Sequence, residues 1–184
     1  MHSILSLRRL IVLIPVVFIG LSAVGAILTG SQGTGVVDPY PEQRSIIFDS
    51  TPTHSVVFTS GDGKVIQTID VWTAETPAEQ HEGLSNTSRD NLPENTGLLF
   101  SYDSESERSI VMREMQYPLD VVFIGADGQV TSVQQAMVEP TGTAERDLQL
   151  YTADAQYILE IPEGTASEAI KPGVSVEILS SPIE

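Results

Sequence analysis

From residue 53 onward the chain alternates between short apolar runs and turn-forming clusters, and that alternation is the main guide to its shape. "SVVFT" (55–59) and "VIQTIDVWTA" (65–74) are rich in β-branched residues. The Gly61-Asp62-Gly63-Lys64 turn between them marks a hairpin. The period then changes. Thr76 suits an N-cap, Pro77 the first helical position, and Glu79 completes a capping box, so a short helix is predicted over "PAEQHEGLS", ending near Gly83. Residues 85–97, "SNTSRDNLPENTG", carry no periodicity. Loops of about this length are uncommon unless they have a function. Strands resume at "GLLFSYD", "SIVMREM", "LDVVFIGA", "VTSVQQAMV", "DLQLYTA" and "AQYILEIP", with a second turn at "ADGQ". A second short helix, "EGTASEAI", and a last strand, "VSVEIL", complete the series. Eight or nine short strands with two small helices and no internal repeat predict a mainly β domain, a jelly-roll-like sandwich or a barrel.

The N-terminus has a different pattern. Leu10 to Leu28 is 19 residues without a charge, and at about 1.5 Å per residue a helix of that length spans roughly the hydrocarbon core of a bilayer. Arg8 and Arg9 precede it, and no basic residue follows before Arg44. The positive-inside rule then predicts a single-pass membrane protein with a cytoplasmic tail at 1–9, a transmembrane anchor (or uncleaved signal) at 10–28, a Gly/Ser/Pro-rich linker at 29–52 and an extracellular β domain at 53–184. The alternative is secretion after cleavage near Ala26, where Val24-Gly25-Ala26 offers small residues. In either case the domain is exported. Asn86-Thr87-Ser88 is then a candidate glycosylation sequon.

Charge narrows the partners. The chain has 25 acidic and 9 basic residues, a net charge of −16, with Lys64 and Lys171 the two lysines. Such a field repels phosphate backbones, so no nucleic-acid partner is expected. It also repels itself unless salt screens it, which fits the acidic surface of a protein adapted to high salt. There is no cysteine, which removes disulfides, thiolate nucleophiles and lipid attachment. His2, His54 and His81 lack metal-ligand spacing, so neither a metal nor a cofactor is predicted.

Five stretches together resemble one family: "TPAEQHEGLS" (76–85), "LPENTGLLF" (92–100), "VMREMQYPLDVVFIGADG" (111–128), "AQYILEIPEG" (155–164) and "IKPGVSVE" (170–177). Their order and spacing resemble the prokaryotic family called domain of unknown function 192, over about residues 65–179. The resemblance implies a compact, mostly β domain similar to a jelly roll, and it brings no activity or catalytic residue. Val111, Arg113 and Ser85 stand where that family usually has tryptophan, lysine and methionine.

The stretch 111–128 sets charges beside a very apolar strand. Asp120 shares a strand face with Val122 and Ile124, so its carboxylate needs a partner. Arg113 is the candidate, and Glu160, between Leu159 and Ile161, is a third member. One reading is an ion pair or a backbone clamp fixing strand ends. The other is a small binding pocket with Arg113 and Asp120 at its floor and Glu114, Tyr117, Tyr151, Tyr157 and Glu160 around it. The function that follows is non-catalytic binding of an unknown small molecule or envelope protein at the outer cell surface, by a protein held to the membrane through residues 10–28. The alternatives are a carbohydrate-active hydrolase using Asp120 with Glu160 or Glu114, and a purely structural partner of another envelope protein. Asp103, Glu105, Glu107 and Glu114 are spaced somewhat as in a calcium loop, but Arg108 occupies the place of the required glycine, so an acidic hairpin is expected there instead.

Overall fold

A computed structural model describes residues 51–180. The tail, the apolar span and nearly all of the linker lie outside the described residues. Seven strands form one sheet: β1 (His54–Thr59), β2 (Val65–Ala74), β3 (Thr96–Ile110), β4 (Leu119–Ile124), β5 (Val130–Ala136), β6 (Tyr151–Pro162) and β7 (Ser175–Leu179), in the order β5-β4-β6-β3-β2-β1-β7. Among the described residues there is a single α-helix, α1 (Pro77–Glu82), and 3-10 turns lie at Arg89–Asn91 and Glu145–Asp147.

The two edges of the sheet meet. Val130 N donates to Val174 O at 2.9 Å, and Val176 N donates to Gly128 O at 2.7 Å. These bonds join the start of β5 to β7 and curl the sheet into a half-barrel. The expected two-layer sandwich is therefore replaced by one curled sheet, close to the barrel alternative, and curling relieves the exposed edges that a flat sheet would leave. Both predicted turns are present, and their glycines take the left-handed conformation the turns need (Gly63 φ 82°, Gly128 φ 72°).

Three expectations change. "GLLFSYD" and "SIVMREM" merge into the 15-residue strand β3, which ends at Ile110. "DLQLYTA" and "AQYILEIP" likewise largely merge into β6. Between Ser101 and Ser106 the β3–β6 register shifts, so β3 bulges there. Arg108 lies 3.9 Å from the Tyr102 ring and donates to Ser104 O across the bulge. Finally, "EGTASEAI" is a run of turns rather than a helix, because Gln67 and Asp120 side chains take up its backbone groups. Gln67 Nε2 donates to Thr165 O at 2.8 Å and its Oε1 accepts from Ser167 N at 2.8 Å.

β2 and β3 run parallel. Parallel neighbours need a crossover of at least about a dozen residues, and residues 75–95, with α1 and most of the long loop, are that crossover. Each face of the sheet carries an apolar cluster. One includes Trp72, Leu98, Phe100, Val121, Phe123 and Ile158, and the crossover adds Leu84 and Leu92 to it. The other includes Phe58, Val71, Leu99, Val122, Leu159 and Ile161. Among the described residues no helix is long and apolar enough to cross a membrane.

Candidate functional site

The crossover builds the site. Thr76 caps α1 as its sequence requires: Glu79 N donates to Thr76 Oγ1 at 3.3 Å, and Thr76 N donates to Glu79 Oε2 at 2.8 Å. Gln80 Nε2 donates to Ser101 O at 2.9 Å and fastens the helix to β3. Gly83 then turns the chain with φ 52°, a value that favours glycine. A side chain here would also press on the sheet, since a Cβ would stand 3.2 Å from Phe100 Cζ and 3.4 Å from Glu160 Oε2. The bare backbone of Gly83 and Leu84 can therefore settle directly over Glu160.

Glu160 lies in β6 opposite Leu98 of β3 and Val121 of β4, both apolar. Paired residues share a sheet face, so its carboxyl points into the cluster under the crossover. It is 4% exposed. Burial pushes its pKa up to about 8, only partly offset by a hydrogen bond from the Leu84 backbone N–H. Its Oε2 has no hydrogen-bond partner. The carboxyl forms part of the wall of a cavity of about 160 Å³ whose lining also includes Phe100, Ile110, Met115, Ser85 and Arg113.

Arg113 stands at this cavity and borders a second, wider hollow lined also by Glu114, Pro140 and Glu145. Its Nη2 pairs with Glu145 Oε1, and its Nη1 donates to His81 O at 3.0 Å. It thus ties the end of α1 to the segment before β6. Its Nε is buried without a partner. Ser85 Oγ donates to Arg113 O at 2.8 Å, and Asn86 N donates to Glu114 O at 3.1 Å, so the crossover is stitched to the 111–118 segment. Two non-glycine residues here, Asn86 (φ 59°) and Glu114 (φ 53°), adopt the left-handed conformation. Such strain persists only where surroundings impose it, and it concentrates at functional sites.

The expected partnership of Arg113 with Asp120 is not formed. Asp120 belongs to the opposite face of the sheet, where its Oδ2 accepts from Gly164 N at 2.9 Å and Ala166 N at 3.1 Å. It is a backbone clamp on the turn after β6, one of the two structural roles its sequence suggested. Alternation along β4 and β6 keeps Asp120 and Glu160 apart, so they make no catalytic pair, and Glu114 is exposed and held by the Asn86 side chain. Tyr157 packs on the Asp120 face. Tyr117 is buried under the crossover, its hydroxyl 2.9 Å from Thr87 Oγ1, and the Tyr151 hydroxyl accepts from Met137 N at 2.9 Å. Of the residues singled out from sequence, the structure brings Arg113 and Glu160 to one cavity. Gly83 and the Leu84 N–H were missed. The available signal was the glycine directly after a capped helix, where a left-handed backbone is the common outcome.

Comparison with known proteins gives fold but no activity. A candidate transcription regulator from Sinorhizobium meliloti 1021 superposes with a TM-score of 0.58 at 22% identity, over 70% of this chain and 95% of its own. A protein of unknown function from Novosphingobium aromaticivorans DSM 12444 superposes with a TM-score of 0.55 at 29% identity, over 67% of this chain and 83% of its own. No curated protein matches the sequence. Residues 56–178, nearly the whole of the described fold, match the family DUF192, described as "Uncharacterized ACR", and the chain belongs to that family.

Proposed function

We propose that this protein is a non-catalytic binding domain, held at the outer face of a cell membrane by residues 10–28, that takes a small molecule in the cavity over Glu160. The anchor is supported by the length of the apolar run and by Arg8 and Arg9 before it. The net charge of −16 supports a surface suited to high salt. The observation that carries the binding role is Glu160, a carboxyl held in an apolar wall with one oxygen unpartnered beside an open cavity. A buried polar group without a partner costs stability unless something completes it.

A thermal-shift screen of the full chain in molar salt, with sugars, amino acids, nucleotides and short amides, tests this. A ligand at 100 times its Kd adds about 2.7 kcal/mol of stability. The expected result is a hit that Glu160→Leu or Arg113→Gln removes while the variant stays folded. No hit across the panel overturns the reading and moves the search to an envelope-protein partner, for which the exposed Met137, Val138 and Leu150 are the first surface to test.

A carbohydrate-active hydrolase is the second reading. Glu160 keeps its proton near neutral pH, as a general acid must, and Glu82 is another carboxyl lining the cavity. Hydrolysis of aryl glycosides that disappears in Glu160→Gln would establish it.

A further inference from the structure

The cavity under α1 contains two unfilled hydrogen-bonding positions of the same kind. Arg113 Nε is buried with no partner, and an Nε–H can only donate. Glu160 Oε2 is also without a partner, while the Leu84 N–H already donates to its carboxyl. The group is enclosed among Leu98, Phe100 and Val121 with no cation paired to it, which favours the protonated carboxyl, and a hydroxyl at the unpartnered Oε2 would be a donor. Two donors therefore stand unpartnered among the residues that line one cavity, whose wall mixes polar side chains (Gln80, Glu82, Ser85) with apolar ones (Phe100, Ile110, Met115).

We propose that the cavity takes a small uncharged molecule bearing a carbonyl, such as a ketone or carboxamide, whose oxygen accepts from both Glu160 Oε2 and Arg113 Nε. This rests on the reading of the cavity as a ligand site. The volume of about 160 Å³ sets the size, because a cavity of about 150 Å³ holds a benzene-sized molecule. Phe100, Ile110 and Met115 provide an apolar wall for a short carbon chain. The surroundings disfavour either charge: Arg113 opposes a cation, while Glu82 and Glu145 oppose an anion. The other titratable groups near Glu160 are His81 from α1, Tyr102 from β3 and Tyr117 from the 111–118 segment.

The test uses three probes of matched size, butyramide, butylammonium and butyrate. They are titrated into the full chain in molar salt and followed by the Leu84 amide and Arg113 Nε–H resonances. Butyramide is expected to move both signals saturably. With a pKa of about 8, the protonated fraction of Glu160 falls to about 3% by about pH 9.5, so butyramide affinity should drop roughly thirty-fold from about pH 6.5. Glu160→Gln keeps a donor and should bind butyramide with a flat pH profile, and Glu160→Leu should abolish binding. Tighter binding of butylammonium with rising pH, or of butyrate at any pH, overturns the proposal and leaves a ligand site of different chemistry. Butyramide binding that is indifferent to pH and to Glu160→Leu also overturns it. If none of the three probes moves either signal, the proposal fails, and a hit or its absence in the wider thermal-shift panel then decides the ligand-site reading separately.

Discussion

Glu160 is a carboxyl group that folding has taken out of water without giving it a charge partner. Its pKa rises from an ordinary 4.5 to about 8. The folded state therefore holds a proton that the unfolded chain loses, and stability falls as pH climbs from the unfolded value towards the folded one. Below about pH 4 the group costs nothing through ionisation. At pH 7 the penalty is about 3 kcal/mol, at about 1.4 kcal/mol for each pH step above the unfolded value. Glu160→Gln is neutral and nearly isosteric, so it should raise stability at pH 7 by about that amount and flatten the pH profile between about 5 and 8. Urea unfolding at several pH values reads this directly, and parallel profiles for the two proteins would mean that Glu160 ionises freely when folded. Asp120 shows the opposite treatment of a buried carboxyl. It too is nearly enclosed, yet two backbone N–H groups meet its Oδ2, and such bonds offset the loss of water. Two acids of similar burial thus take different roles because one received donors and the other a cavity.

At the level of elements, the crossover from β2 to β3 decides the site. It places α1 and most of the 85–97 loop on a single face of the sheet, where hydrogen bonds hold it: Gln80 to Ser101 O, Arg113 to His81 O, Ser85 to Arg113 O, Asn86 N to Glu114 O, and Thr87 to Tyr117. α1 has six residues and none of them is buried, so it depends on caps and side-chain bonds more than on core packing. Thr76→Ala should cost about 1 kcal/mol. Because the helix end carries Leu84 over Glu160, the same substitution should also speed hydrogen exchange at the Leu84 amide while leaving β3, β4 and β6 protected. Uniform exchange across the domain would show instead that the crossover opens only with global unfolding.

For the whole molecule the net charge of −16 dominates. Three ion pairs occur among the described residues, and the cations of two of them, Lys64 and Arg146, are largely exposed. Such pairs do little against a general excess of negative charge. Raising salt from about 0.1 M to about 1 M shortens the screening length from about 10 Å to about 3 Å. The melting temperature should therefore climb steeply over that range with potassium chloride, and much less in a variant in which several exposed acids are made neutral. A melting temperature indifferent to salt would remove the support for a high-salt protein.

The sequence by itself determined the β character, both glycine turns, the capped start of α1 and its end at Gly83. Each of these is local chemistry: alternation sets strands, a left-handed backbone selects glycine, and a capping box needs only four residues. Sequence likeness also pointed to the family. Only the tertiary structure decided which residues meet. That β2 and β3 run parallel depends on packing across the sheet, and no turn signal encodes it. Arg113 and Asp120 are close in sequence and chemically matched, yet the two-residue alternation of strands puts Asp120 on one face and Glu160 on the other. Glu160 became the centre of the site because a helix end without a side chain came to rest above it, and a contact between residues 83 and 160 leaves no trace in either segment read alone.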